Sequence, residues 1–338
     1  MHDDLINLCL SLLRNYSDAH LAILDPLSLS ALYSCSLKSM ELFASILQKF
    51  HDFTSISMGA TLEEKISFRN DTVFNMLDLL NNLSLKELSL DDDSSDVVLA
   101  DAMDMTVQLF GAMYRTIALC DVLIMGIELL VPVISADLLR NFPKTCDRYF
   151  SLIRFVASSY EQNLMVKVNQ TETGNDFLNK IIQHLLWGAS AVDSSSANIA
   201  LHAIQVLASS HINNVRKGGG GYGATADKVT LPGAMDVLVE MIIFPAKFEY
   251  GISSDRTDAC ASTLLTLMSI DINHFYSYAK NLIAQQNQVY HMQLLQSFEK
   301  LITQDHIDVS SLDRANKEKF KKNLREFIVE VRSLVMFH

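Results

Sequence analysis

The sequence predicts an all-α protein, and three observations support that prediction. Apolar residues recur at spacings of three and four along most of the 338 residues, which is the period of one face of an α-helix. Leu, Ile, Met and Ala are abundant and there are only five prolines, a composition that favours helices over sheets. No segment alternates apolar and polar residues beside a neighbour with which it could pair as a strand.

The C-terminal segment carries the clearest helical pattern. Its apolar residues lie on one stripe, and they are Phe320, Leu324, Phe327, Ile328, Val331, Leu334 and Val335. Asp313 and Glu318 stand near the predicted start, where the helix dipole favours negative charge. The segment is therefore predicted to be an amphipathic helix with one buried face.

Similar patterns predict a series of helices upstream. Thr61 and Glu64 have the spacing of a capping box. The pair Phe142–Pro143 ends one helix and begins the next, because proline is tolerated in a first helical turn but not in a helix interior. The predicted ranges are 2–15, 26–53, 61–88, 96–118, 120–140, 142–160, 175–190, 196–216, 229–246, 254–271, 273–286 and 288–303.

The order of these helices predicts a repeat architecture. They recur at intervals of roughly 40–55 residues, against about 40–47 residues for the two-helix HEAT and armadillo repeats. One helical hairpin is too small to bury its own apolar face, so hairpins stack on their neighbours. We predict a single HEAT- or armadillo-like α–α superhelix (a solenoid) over residues 1–338, with a compact helical bundle as the alternative. Its predicted interruptions are a hinge at 54–60, an acidic loop at 89–96 and a flexible glycine-rich loop at 217–228.

Charge and composition exclude several classes of protein. The formal net charge is −12, which repels nucleic-acid phosphates, so we expect basic protein partners and no nucleic acid. The most apolar window, 117–135, contains Asp121 and Glu128, so we predict a buried helix and no membrane insertion. The five cysteines are odd in number and have no close pair, which predicts buried free thiols in a reducing compartment.

The glycine-rich loop matches the sequence pattern of a dinucleotide-binding fingerprint but lacks the flanking secondary structure that such a site needs. Gly218, Gly220 and Gly223 have the G-x-G-x-x-G spacing. A phosphate cradle needs a strand before the first glycine and a helix directly after the last. Here the preceding segment is predicted to be a helix, and the next helix starts only several residues later. We therefore interpret the loop as a flexible connector.

The remaining motifs also give no catalytic, cofactor or metal site. Asp91, Asp92, Asp93 and Asp96 lack the central glycine and terminal glutamate of a calcium loop. The histidines are scattered without ligand spacing, and neither H-E-x-x-H nor G-x-S-x-G occurs. The leucines of 77–85 have the spacing of an export signal, which is also that of a buried helix face. The sequence therefore predicts a binding protein and no enzyme.

Three stretches resemble a known family. The first is "CDVLIMGIELLVPVISADLLRNFPKTCDRYFSLIRFV" at 120–156, the second is "LDRANKEKFKKNLREFIVEV" at 312–331, and the weakest is "LDLLNNLSLKEL" at 77–88. In order and spacing they resemble the C-terminal region of the exportin-4 family, nuclear transport receptors of the importin-β superfamily.

The resemblance implies a HEAT-repeat receptor that carries protein cargo through nuclear pores together with Ran-GTP. It implies translation initiation factor 5A (in its hypusine-bearing form) and Smad-type factors as export cargo, Sox-type factors as import cargo, and contacts with nuclear pore proteins. It places the protein in both nucleus and cytoplasm. Members of the family are much longer, and their principal Ran-binding repeats precede the part that matches here. The alternative function is a non-transport HEAT-repeat scaffold for protein interactions.

Six charged residues on two predicted helices are candidates for contact with a protein partner. They are Asp147, Arg148, Arg154, Lys321, Lys322 and Arg325. The alternative is an ordinary solvated helix face. The choice between inner and outer helix faces stays open, because a shift of one helix in the pairing exchanges them.

Overall fold

The structure is a computed structural model that describes residues 2–20, 26–53, 71–84, 119–170, 174–191, 194–216, 231–244 and 254–335. Within these ranges every regular element is a helix and there is no strand, so the predicted all-α class is confirmed. The helices are α1 His2–His20, α2 Pro26–Phe53, α3 71–84, α4 119–130, α5 Ala136–Asn141, α6 Pro143–Ser159, α7 Glu161–Gln170, α8 Gly174–Ala191, α9 Ser194–Arg216, α10 Pro232–Ile243, α11 Ser254–Met268, α12 Ile272–Ala284, α13 His291–Thr303 and α14 Arg314–Leu334, with 3-10 turns at Gln288–Tyr290 and Gln304–His306.

Two details differ from the predicted helices. The range predicted as one helix at 120–140 is two, because Pro132 stands in a turn and Ser135 caps a new helix by accepting a hydrogen bond from the backbone N–H of Leu138 at 3.3 Å. Helix α7 was not predicted at all. This helix has only ten residues, and only Leu164, Met165 and Val168 are buried, so its apolar period is too short to be recognised in the sequence.

The chain divides into two compact units, Met1–Val156 and Ala157–His338, with the division inside α6. The prediction of one array over residues 1–338 stays a prediction. The predicted hinge at 54–60, the acidic loop at 89–96 and the glycine-rich loop at 217–228 lie outside the described residues.

The first unit contains a close approach between two helices. A Cβ built on Gly126 of α4 would lie 2.5 Å from Cδ1 of Leu80, a fully buried residue of α3. Glycine at 126 therefore lets α4 pack at a distance that a side chain would prevent. The neighbouring Leu77 and Leu83 are also buried, so three of the leucines with export-signal spacing belong to the core, and Leu85 lies outside the described residues.

The second unit arranges its helices in two rows. Consecutive helices pair as α8 with α9, α10 with α11 and α13 with α14. Helices α9, α11 and α14 are neighbours in one row, and α8, α10 and α12 are neighbours in the other. Each helix pair contacts mainly the next pair along the chain, which is how the units of an all-α helical repeat pack, as predicted.

The core of the second unit follows these two rows. Helix α11 packs against α9, α10 and α14, and its residues Cys260, Leu264, Leu265 and Met268 are almost completely buried. Aromatic rings continue the core across the last three helices, with centroids 6.0 Å apart for Phe275 and Phe298. The centroids of Phe298 and Phe327 lie 4.9 Å apart in an edge-to-face arrangement.

Two asparagines of α14 fix the connection from α13. Asn323 is 2% exposed and donates to the backbone carbonyls of Gln304 at 2.7 Å and Leu301 at 3.4 Å, which lie at the end of α13. Asn316 donates to the carbonyl of Asp308 at 2.7 Å and accepts from its N–H at 3.0 Å. These bonds satisfy backbone groups that the helix end and the loop leave unpaired.

Among the described helices, none is both long and apolar enough to cross a bilayer. The cysteines are free, as predicted. Cys120, Cys146 and Cys260 are buried, but Cys35 is exposed and Cys9 is half-buried, so the prediction of buried thiols is wrong for these two residues.

Replacing Gly126 with valine should destabilise the first unit by about 1–3 kcal/mol, because the new side chain overlaps Leu80. Thermal unfolding followed by far-UV circular dichroism measures the loss. Gly233→Val is the control, since a Cβ there meets no atom within 4 Å. Equal melting temperatures for Gly126→Val and the parent protein would contradict the close packing.

Replacing Asn323 with alanine should cost about 1–3 kcal/mol, because the carbonyls at the end of α13 lose their donor in a buried place. Urea unfolding followed by the fluorescence of Trp187 reports on the second unit, since this is the single tryptophan of the chain. Asn273→Ala, at an exposed position of α12, is the matched control. The same midpoint for both variants would show that the buried amide does not stabilise the loop.

Candidate protein-binding surface

A polar groove of ≈ 270 Å³ lies between the start of α7 and the solvent-facing side of α9 in the second unit. The α9 residues that line it recur at spacings of three and four, so they share one helix face, while the opposite face packs on α8 and α11. The lining residues are Ser158, Glu161, His202, Gln205, Val206, Ser209, Ser210 and Asn213.

One buried amide fixes the wall of the groove. Asn214 is 6% exposed, and its Nδ2 donates to Oε1 of Glu161 at 2.5 Å and to the backbone carbonyl of Ser210 at 3.1 Å. Its Oδ1 accepts from Nε2 of Gln162 at 2.9 Å. The first turn of α7 is therefore held against α9, and the Glu161 carboxylate has a defined position.

The groove has one carboxylate and no lysine or arginine among its lining residues. Within the described ranges, the side chains of Gln205, Ser209 and Asn213 have no hydrogen-bond partner. Their amide and hydroxyl groups can therefore bind a molecule that enters the groove. The site is a polar surface with one carboxylate, and its amide and hydroxyl groups can donate as well as accept.

A second polar cluster joins α10 to α12. Oδ1 of Asp236 lies 2.8 Å from Nε2 of His274, and the hydroxyl of Tyr278 donates to Oε1 of Glu240 at 3.1 Å. Burial raises the pKa of Asp236 and outweighs the hydrogen bond and charge of His274, which lower it. Burial and the neighbouring Glu240 also raise the pKa of Tyr278. The cluster links neighbouring helices of one row.

The predicted contact residues of α6 lie in the first unit. Arg148 forms an ion pair with Asp78 of α3, and a second arginine, Arg14 of α1, lies 3.9 Å from the same carboxylate. Asp147 and Arg154 are half-buried. Arg148 therefore has a partner inside the chain.

The predicted contact residues of α14 lie in the second unit and are also paired. Lys321 lies 2.8 Å from Glu318, and Lys322 lies 3.1 Å from Asp305. Arg325 donates to both carboxylate oxygens of Asp258 on α11, at 2.6 and 2.8 Å. These cations are balanced by neighbouring acids, and whether the six residues bind a partner stays a prediction.

Sequence reasoning missed the groove because it missed α7. The polar positions His202, Gln205, Ser209 and Asn213 have helical spacing and were visible in the sequence. The position of Glu161 beside these residues could not be predicted from the sequence, because the contact between α7 and α9 depends on tertiary packing.

The described residues contain no group of three or more His, Cys, Asp or Glu side chains that could hold a metal ion. Burial raises the pKa of Cys260 to about 12, so this thiol is not a ready nucleophile. Burial lowers the pKa of His184 and of His211. The calcium-like acids at 91–96 and the fingerprint glycines lie outside the described residues.

No protein-family model matches the chain. No solved structure matches it either.

Asp236 should make stability depend on pH. Its folded-state pKa is above its ordinary value of 3.8, so the stabilising contribution of its protonated form is complete below that value and is lost as the pH rises through the raised pKa. The asparagine of the Asp236→Asn variant does not ionise, so its contribution to stability does not change over this pH range. The melting temperature of this variant relative to the parent should therefore increase as the pH is raised from about 3.5 to about 6.

Glu299→Gln, an exposed carboxylate of α13, is the control for general charge effects. Thermal unfolding over the same pH series gives both differences. A flat difference for Asp236→Asn, or the same slope for both variants, would contradict the assigned role of burial.

Proposed function

We propose that this chain is a protein-binding helical-repeat protein that acts as the cargo-binding part of an exportin-4-type nuclear transport receptor. The observation that carries the proposal is the two-row packing of α8 to α14, which buries the apolar faces between the rows and leaves polar helix faces at the surface. The resemblance of 120–156 and 312–331 to the receptor family supplies the transport role.

The surface chemistry favours binding of proteins over catalysis. The groove of ≈ 270 Å³ is lined by only two ionisable side chains, Glu161 and His202, and a larger one of ≈ 430 Å³ between α1 and α3 is lined by Arg14 and Asp71 alone. Neither brings together the several titratable groups that are typical of a catalytic site. An acidic chain attracts basic surfaces and speeds their association through long-range electrostatics. A repeat protein of this kind binds through many modest contacts spread over a large area and needs no deep pocket.

The proposed partners follow from the resemblance. They are protein cargo of the translation initiation factor 5A and Smad types, the GTPase Ran in its GTP-bound form, and nuclear pore proteins. Under this proposal the protein moves between nucleus and cytoplasm. Hypusine is a lysine-derived cation, and a chain with a net charge of −12 suits such a ligand.

A capture experiment tests the proposal. The full chain is immobilised and incubated with purified translation initiation factor 5A, with and without hypusine, in the presence of Ran loaded with GTP or GDP. We expect Ran-GTP to increase capture of the hypusinated factor at least about fivefold, the lower end of ordinary allosteric coupling. The GDP form and the unmodified factor are the matched controls.

The outcomes separate transport from simple interaction. Capture that is equal with Ran-GTP and Ran-GDP would contradict the transport role and favour a non-transport helical-repeat scaffold. No capture of translation initiation factor 5A or of Smad-type cargo under any condition would overturn the proposed cargo.

A further inference from the structure

The 3-10 turn before α13 and the first turns of α13 expose three large apolar side chains. Val289 is 77% exposed, Met292 is 66% exposed and Leu295 is 42% exposed. Each follows the previous one after three residues, so the three side chains lie on one side of the helix. Single exposed apolar residues are ordinary, but a group on one helix face is typical of a surface that another protein covers.

The same stretch of sequence lacks charged side chains. From Asn281 to Phe298 there is no Asp, Glu, Lys or Arg, in a chain of which 20% of the residues are charged. The exposed polar residues of α13 in this stretch are Gln293 and Gln296, and within the described ranges their side chains have no hydrogen-bond partner. Depletion of charge around an exposed methionine is the composition of the centre of a protein interface. The uncharged face of α13 consists of Val289, Met292, Gln293, Leu295 and Gln296.

The connection that leads into this face is well held. Oδ1 of Asn287 accepts a hydrogen bond from the backbone N–H of Val289 at 3.1 Å. Nε2 of His291 donates to the backbone carbonyl of Gln286 at 2.8 Å. On the opposite side of α13, Leu294 is fully buried. The uncharged face is therefore presented by a fixed backbone, which lowers the entropy that a partner must lose on binding.

Two charged residues at the ends of the uncharged stretch favour a second copy of the chain as the occupant. Lys280 and Glu299 are exposed, and within the described ranges neither has an ion-pair partner. Glu299 continues the exposed side of Met292 and Leu295 by one helical turn, and Lys280 lies on α12, which packs against α13. A two-fold axis between two copies exchanges the ends of the surface. Each lysine can therefore meet the glutamate of the other copy.

The remaining chemistry of the face also suits a second copy. A carboxamide has both donors and acceptors, so Gln293 and Gln296 can pair with the same residues of another copy. The chain has a net charge of −12, so two copies repel each other. An uncharged face lets them approach with the least repulsion.

We propose that the uncharged face of α13 joins two copies of the chain in a symmetric dimer. The dimer is a property beyond the proposed transport role and does not depend on it. Three apolar side chains from each copy make a small interface, so the dimer dissociates at low concentration.

Sedimentation velocity of the full chain between about 1 µM and about 1 mM, a range that covers weak and moderate affinities, measures the association. The parent protein should change from monomer to dimer as its concentration rises. Met292→Glu should weaken dimerisation at least about thirtyfold, which is the effect of losing a central interface residue. Val289→Glu should also weaken it. Both side chains are mostly exposed, so both variants should stay folded, which thermal unfolding checks.

Val215→Glu is the matched control. Val215 is an apolar residue of α9 that is 52% exposed and lies outside the uncharged face. The variant adds the same negative charge and should change dimerisation by less than about twofold.

A charge exchange tests the two-fold arrangement. Lys280→Glu and Glu299→Lys should each weaken dimerisation about three- to tenfold, because like charges then meet at both edges of the interface. The variant that carries both substitutions restores opposite charges and should dimerise like the parent protein.

Three results would overturn the proposal. The first is a parent protein that stays monomeric over the whole concentration range, which would leave the face to a different kind of partner. The second is an equal effect of Met292→Glu and Val215→Glu, which would place the contact elsewhere on the chain. The third is a double charge variant that dimerises no better than the single variants, which would contradict the symmetric contact.

Discussion

Helix α11 has neighbours in its row on both sides, α9 and α14, and most of the side chains that it buries are small or apolar. The exception is Arg256, which is 2% exposed and donates to Oγ of Ser194 on α9 at 3.5 Å. Cys260, Leu264 and Leu265 have at most 1% of their surface exposed. Each Å² of apolar surface removed from water contributes about 25 cal/mol to stability. Thr263 is fully buried as well, which is possible because its hydroxyl donates to the carbonyl of Leu201 on α9 at 3.1 Å and to its own helix. Helix α11 therefore buries its surface against more than one neighbouring helix at once.

This demand for burial decides which faces stay available for binding. The face of α9 that packs on α8 and α11 is apolar, and the face that remains is the polar wall of the groove. On α14 the buried stripe leaves a charged face on which Lys321, Lys322 and Arg325 are paired with carboxylates. Exposed ion pairs of this kind contribute little to stability, but they reduce the charge that a partner meets. The groove, with one carboxylate and no cation, keeps its charge.

Buried amides hold the ends of the helices in register. Asn214 connects α9 to the first turn of α7, and Asn323 satisfies the carbonyls at the end of α13. An amide suits these places because its N–H groups donate to the oxygens there and it carries no charge that burial would penalise. The Glu161 carboxylate is held at the groove by Asn214, so its free oxygen has a fixed direction for a ligand.

The sequence by itself determined the helical class, the bounds of α9 to within two residues and the buried stripe of α14, because the apolar period is a local property of the chain. It also predicted the break at Phe142–Pro143, since proline acts on its own backbone. Only the tertiary structure decided the split at Pro132, the existence of α7 and the groove beside it. It also decided the pairing of Arg325 with Asp258, which are 67 residues apart. A short helix with few apolar residues gains its stability from its neighbours, and contacts between distant residues depend on how the helices stack, which no local pattern records.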